Sequence, residues 1–192
     1  MLNRFACYLS LTLVLALVTV GCDVQFKNTP SDDVVVKGLN ITGQYKVDQR
    51  TPKGPFKGKV SIKSSNDDKF PYLIEYDMKG PPKDQLLCQT YRFGESNIAF
   101  LKYKKSGPAK DFFAFKLEIS DDQILAKPLE RAFFTKHSDE LTLAVGADNA
   151  LVSSSESREL DRFFKKHHIT QSLFSDEKTL ILTRFEKGNV GK

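Results

Sequence analysis

The chain has 192 residues, 40% of them hydrophobic and 28% charged, with no Trp, three Cys and a formal net charge of +5. That length suits one domain with an appendage, and the 15 Phe and six Tyr exclude wholesale disorder. Three Cys cannot make a disulfide scaffold, and the mild positive charge does not by itself imply nucleic-acid binding.

The first 22 residues differ from all that follow. Arg4 is their only charge, and Phe5–Val20 runs largely apolar. As a helix that run is about 24 Å long, short of the roughly 30 Å hydrocarbon core, so it reads as the apolar region of an export signal rather than as a spanning segment. It ends in Thr19-Val20-Gly21-Cys22, followed by Asp23. Small residues before a Cys at this position resemble the lipobox of bacterial lipoproteins, with Thr19 in place of the usual Leu. The resemblance implies a signal peptide over 1–21, cleavage before Cys22, and acylation of its thiol and often of the new amino group, palmitate among the chains. An Asp directly after the lipidated Cys is, in lipoproteins of enteric-type bacteria, the sorting signal for inner-membrane retention. The implied address is the cell envelope, facing the periplasm, with the inner membrane favoured over the outer.

Residues 22–38 are mostly polar after Cys22 and include Pro30, so they read as a tether, with Val34–Val36 available as a short edge strand. From Ile41 the period is two. Tyr45 and Val47 share a face with Ile41; Val60 and Ile62 alternate with lysines; Tyr72, Ile74, Tyr76 and Met78 share a face. Phe113, Phe115, Leu117 and Ile119 alternate with a mostly smaller or polar set, and Leu141, Leu143 and Val145 repeat the theme. Leu86–Tyr91 also reads as strand, and Cys88 within it as a small buried apolar residue. Such alternation predicts strands with one buried face, and Pro/Gly- and Asn/Asp-rich turns separate them.

Ser153 and Glu156 stand at capping-box spacing, and Leu160, Phe163, Phe164 and His167 fall on one helical face, predicting a helix near 154–168. Thr179–Phe185 reads as a last strand and 187–192 as a disordered tail. The expected fold over 39–186 is therefore mainly β: an antiparallel meander closed as a barrel or half-barrel, or alternatively a sandwich, with one C-terminal amphipathic helix and a final strand.

That element order resembles the calycin barrels, lipocalins in particular. Gly43-Gln44-Tyr45 on the first long strand is similar to the family's Gly-x-Trp, with Tyr for Trp, and Arg184 on the last strand stands where the family has an Arg packed across that Trp. The resemblance implies a calycin-like barrel and a role as a carrier of a small apolar ligand.

Chemistry is sparse. His167 and His168, adjacent on a helix, point about 100° apart and make a poor metal pair, so His167 reads as packed, His168 as solvated, and no metal or cofactor is expected. Ser153–Ser155 near Asp161 and His167 lack a nucleophile elbow, and the serine cluster reads as helix-capping. There is no P-loop, dinucleotide fingerprint or Cys-x-x-Cys, and no enzyme is expected. Lys53, Lys57, Lys59, Lys63, Lys102, Lys104 and Lys105, with Tyr103, suit anionic lipid head groups or plain solvated strand faces. The many Phe suit either a cavity lining or a filled core. The leading expectation is a membrane-anchored envelope lipoprotein acting as a non-enzymatic interaction or structural module. Its partners would be membrane lipid through acylated Cys22, anionic head groups or another protein, and not nucleic acid. The alternative is a lipocalin-like carrier of a small apolar ligand.

Overall fold

The structure is a computed structural model and describes residues 24–51, 54–77, 85–104, 111–146 and 149–185. In chain order the strands are β1 (Val24–Phe26), β2 (Gly43–Thr51), β3 (Gly54–Ser64), β4 (Tyr72–Asp77), β5 (Gln85–Phe93), β6 (Ser96–Tyr103), β7 (Phe112–Ile119), β8 (Gln123–Pro128), β9 (Leu143–Val145), β10 (Leu151–Ser153) and β11 (Leu180–Arg184). Helix α1 (Arg131–Lys136) follows β8 and helix α2 (Ser157–His167) follows β10.

Strands β2 to β8 pair antiparallel with their sequence neighbours, and β11 joins β8 to β2. The result is a closed eight-stranded antiparallel barrel, so the barrel form of the expected meander holds and the sandwich does not. Closure leaves those strands without free edges. The period-two residues point inward as expected: Tyr45, Val47, Val60, Ile62, Tyr72, Ile74, Leu86, Cys88, Ala99, Leu101, Ile124, Ala126 and Leu182 pack as one cluster.

A second core lies outside the barrel. The opposite faces of β5, β6 and β7 carry Tyr91, Phe93, Ile98, Phe100 and Phe112, and these pack against Phe133 and Phe134 of α1 and Leu160, Phe163 and Phe164 of α2. The predicted apolar face of α2 is the one that docks. Phe164 meets Phe26, Phe93 and Phe100 with centroids 6.1, 5.4 and 5.9 Å away. Each buried Phe contributes about 1.5–3 kcal/mol from area alone, so this outer layer is a principal source of stability. It also settles where the phenylalanines go: most of the buried ones fill the space between barrel wall and helices, and they do not line the interior.

Three expectations need correction. Residues 24–38 are not a tether. β1 pairs parallel with β10 and antiparallel with β7, and Val24 and Phe26 are 2% and 0% exposed. Their polar neighbours misled because only one face of so short a strand is buried. Val34–Val36 contributes a 3-10 turn (Asp32–Val34) and a bridge from Val35 to Tyr91 rather than a strand. Lastly, Ser153 ends β10, paired with Leu143, and the helix is capped by Glu156, whose N–H donates to Glu159 Oε2 at 3.0 Å. α1 went unforeseen, since six residues are too few to show a helical period.

Candidate functional site

One end of the barrel is stoppered by the segment 35–41. Val36 N–H donates to the Thr90 carbonyl at 2.8 Å, and Thr90 Oγ1 donates back to the Val36 carbonyl at 2.7 Å. Three strands then hold three successive carbonyls: the Tyr72 hydroxyl donates to Leu39 (3.2 Å), Arg184 Nη2 to Asn40 (3.1 Å) and the Tyr45 hydroxyl to Ile41 (2.8 Å). Ile41, 2% exposed, is thereby pressed into the interior cluster. Arg184 also donates to the Tyr45 hydroxyl at 3.0 Å, with its guanidinium carbon 5.6 Å from the ring centre. The two residues singled out on the first long and last strands therefore meet. A Cβ at Gly43 would touch the Tyr45 ring and hydroxyl at 3.5 Å, so this position lies against the same pair.

Above the stopper the wall is uneven. On the β3–β4–β5 side, Val60, Ile62, Tyr72, Ile74, Leu86 and Cys88 are buried. On the β7–β11 side, Phe115, Leu117, Ile119 and Leu180 point inward yet remain half-buried. Leu117, Ala126 and Leu180 stand in register across β7, β8 and β11. Ala126 is itself 8% exposed between the two half-buried Leu, so this row is an apolar, partly solvated stretch of the inner face. Tyr76 and Tyr103, also facing inward and half-buried, belong to the same cluster.

The chemistry of this interior is apolar. Among the described residues its inward positions carry one charge, Arg184 at the stopper. Burial pushes the Cys88 thiol up to about 12 and also raises the Tyr72 hydroxyl, so both are neutral near pH 7. Cys88 is 1% exposed, as its strand position predicts. The arrangement favours contact with an uncharged apolar molecule, oriented by a few hydroxyls.

Other residues singled out in the sequence lie elsewhere. Cys22 and Asp23 fall outside the described residues, as do Lys53 and Lys105. Several remaining lysines are engaged on the barrel's outer face: Lys59 over the Phe185 ring at 5.4 Å, Lys63 with Glu75 at 2.5 Å, and Lys102 over Phe70 at 4.2 Å. The serines act locally. Ser153 Oγ accepts from Ser155 N–H, Ser155 Oγ from Thr142 N–H, and the Asp161 carboxylate holds the Ser31 hydroxyl and N–H. His168 Nδ1 meets the Lys165 carbonyl at 3.0 Å. His167 turns instead to Glu140, which His137 also contacts. The stopper and Glu140 were both missed. The His137-x-x-Glu140 spacing was the one local signal available for the last.

No protein family matches the chain, and no curated protein and no solved structure matches it.

Proposed function

We propose that this protein is a lipid-anchored bacterial envelope protein whose barrel carries a small apolar molecule. The observation that supports the carrier reading is the inward-facing, half-exposed row of Leu117 and Leu180 about Ala126, in a closed barrel stoppered at one end. A barrel of eight strands is wide enough for one small ligand when side chains do not fill it. Such a site does its work by desolvation. An apolar guest leaves water, and no buried charge is stranded by its arrival.

The anchor rests on the lipobox-like Thr19–Cys22, with Asp23 supporting inner-membrane retention and a domain facing the periplasm. Cys22 precedes buried Val24 by two residues, at most about 7 Å of chain, so acyl chains there would hold the barrel directly on the bilayer surface. Among the described residues no helix is long and apolar enough to cross a membrane. Two or more acyl chains suffice for stable attachment.

Two measurements test the halves separately. A clickable palmitate analogue is expected to label the wild type and not Cys22→Ala; label on the variant overturns the anchor. Native mass spectrometry from nanodiscs is expected to show a stoichiometric small apolar adduct, lost in Ala126→Phe, whose ring would crowd the row between Leu117 and Leu180. A folded wild type with no adduct and no uptake of an added apolar fluorophore overturns the carrier and leaves the barrel as a structural or interaction module.

A further inference from the structure

The carboxyl ends of both helices meet outside the barrel. His137 caps α1, its N–H donating to the Phe133 and Phe134 carbonyls, and the Glu140 N–H donates to the His137 carbonyl at 3.1 Å, which locks the two residues in one turn. His167 is the last residue of α2, wedged against the Phe133 and Phe163 rings at 5.2 and 4.9 Å. The Glu140 carboxylate gathers this group: His137 Nδ1 lies 3.1 Å from Oε1, His167 Nε2 3.0 Å from Oε2, and Lys166 Nζ 2.9 Å from Oε1. The two imidazole rings are 4.7 Å apart.

We propose that His137, Glu140 and His167 form a binding site for a borderline divalent transition-metal ion, zinc foremost. One ligand atom from each lies within 4.8 Å of the other two. A tetrahedral zinc with bonds of about 2.0–2.1 Å sets its ligands roughly 3.3 Å apart. The two Glu–His separations are already within a few tenths of an ångström of that, and the two imidazole nitrogens, within 4.8 Å of each other, would close by at most about 1.5 Å on binding. Two imidazoles and a carboxylate suit zinc, copper or nickel and poorly suit calcium or magnesium, which take oxygen ligands.

The surroundings fit an ion. The α2 carboxyl terminus presents the negative end of its dipole. His137 Nδ1 and His167 Nε2 both lie 3.1 Å from Glu140 Oε1, which makes that oxygen the shared ligand, and Lys166 at 2.9 Å supplies the kind of outer hydrogen bond that orients a ligating carboxylate. His137 and Glu140 are about a quarter and a fifth exposed, His167 less than a tenth, so an ion can enter from solvent while the apolar floor of Phe133 and Phe163 fixes the rings. Three protein ligands leave a fourth position to water. Bound there, the ion cross-links α1, the turn after it and α2, the elements that cover the outer core. This site is independent of the barrel interior. It departs from the expectation drawn from His167 and His168, because the partner of His167 comes from thirty residues earlier in the chain.

The test uses the full-length chain, without a histidine tag, in detergent micelles after chelator stripping. Competition with a chromophoric chelator is expected to show one Zn2+ per chain, and Co2+ to give the visible d–d bands of a low-coordinate site. His137→Ala and Glu140→Gln should each weaken Zn2+ binding at least about 100-fold. His168→Ala should leave it unchanged, since that ring faces the Lys165 carbonyl and Gly94. Wild type that neither binds stoichiometric Zn2+ nor develops the Co2+ bands overturns the proposal whatever the variants do. So does binding that survives His137→Ala or falls equally in His168→Ala.

Discussion

Arg184 Nη2 donates to the Tyr45 hydroxyl at 3.0 Å, and that hydroxyl donates in turn to the Ile41 carbonyl at 2.8 Å. One oxygen thus joins the last strand, the first barrel strand and the stopper. Tyr45 is fully buried and Arg184 half-buried, so Tyr45→Phe leaves the buried Ile41 carbonyl and one guanidinium N–H short of a partner. The expected loss is about 1–3 kcal/mol, read as a lower urea midpoint with unchanged slope. In a double-mutant cycle with Arg184→Met the effects should be less than additive, because both act through that oxygen.

The two cores should respond differently to truncation. Phe164 is 0% exposed among four other Phe rings, and Phe164→Ala should cost about 3–5 kcal/mol. Leu117 faces the barrel interior but is half-buried, and Leu117→Ala should cost under about 2 kcal/mol. Equal losses in chemical denaturation would mean that the barrel interior at Leu117 is as tightly filled as the outer layer.

The absence of Trp from the chain makes Leu117→Trp a clean reporter. Its emission should lie between the buried and fully exposed limits, and an apolar ligand should shift it to the blue. A Trp at Ile181, which points to the outside of the barrel and is 37% exposed, should show no shift.

Alkali should destabilise the protein. Burial raises the Cys88 thiol from 9.0 to about 12 and raises Tyr72 and Tyr91 from 10.0. The unfolded chain therefore releases these protons first, so their contribution is intact below about pH 9 and is lost as pH rises toward 12. The denaturant midpoint should fall over that window, and Cys88→Ala should remove part of the slope. At neutral pH Cys88 should react with a thiol reagent only after unfolding.

Gly94, in the β5–β6 turn, has φ +56, and a Cβ there would stand 2.5 Å from His168 Nε2. Gly94→Ala should destabilise through both the left-handed backbone and the clash. Adding His168→Ala should recover the clash and leave about 1–2 kcal/mol of backbone strain, measured by thermal or urea unfolding.

The barrel strands were legible because a strand's side chains alternate and one face meets a core. Tyr45/Val47, Val60/Ile62, Tyr72/Ile74/Tyr76 and Phe115/Leu117/Ile119 each record that in a few adjacent residues. Helix α2 was legible for the same local reason, its four apolar-face residues lying within two turns. What local pattern cannot hold is pairing between distant segments. The stopper carbonyls at 39–41 find donors in Tyr72, Arg184 and Tyr45, and β1 is buried only because β7 and β10 flank it. His137 and His167 become neighbours only because α1 and α2 dock on one Phe-rich face. The amino-acid sequence by itself determined the period of the strands, the face of the long helix and a candidate lipid-anchor motif. The tertiary structure alone decided which end of the barrel is covered, which of its inward side chains stay half-buried, and that Glu140 joins two histidines, since those depend on contacts between residues far apart in the chain.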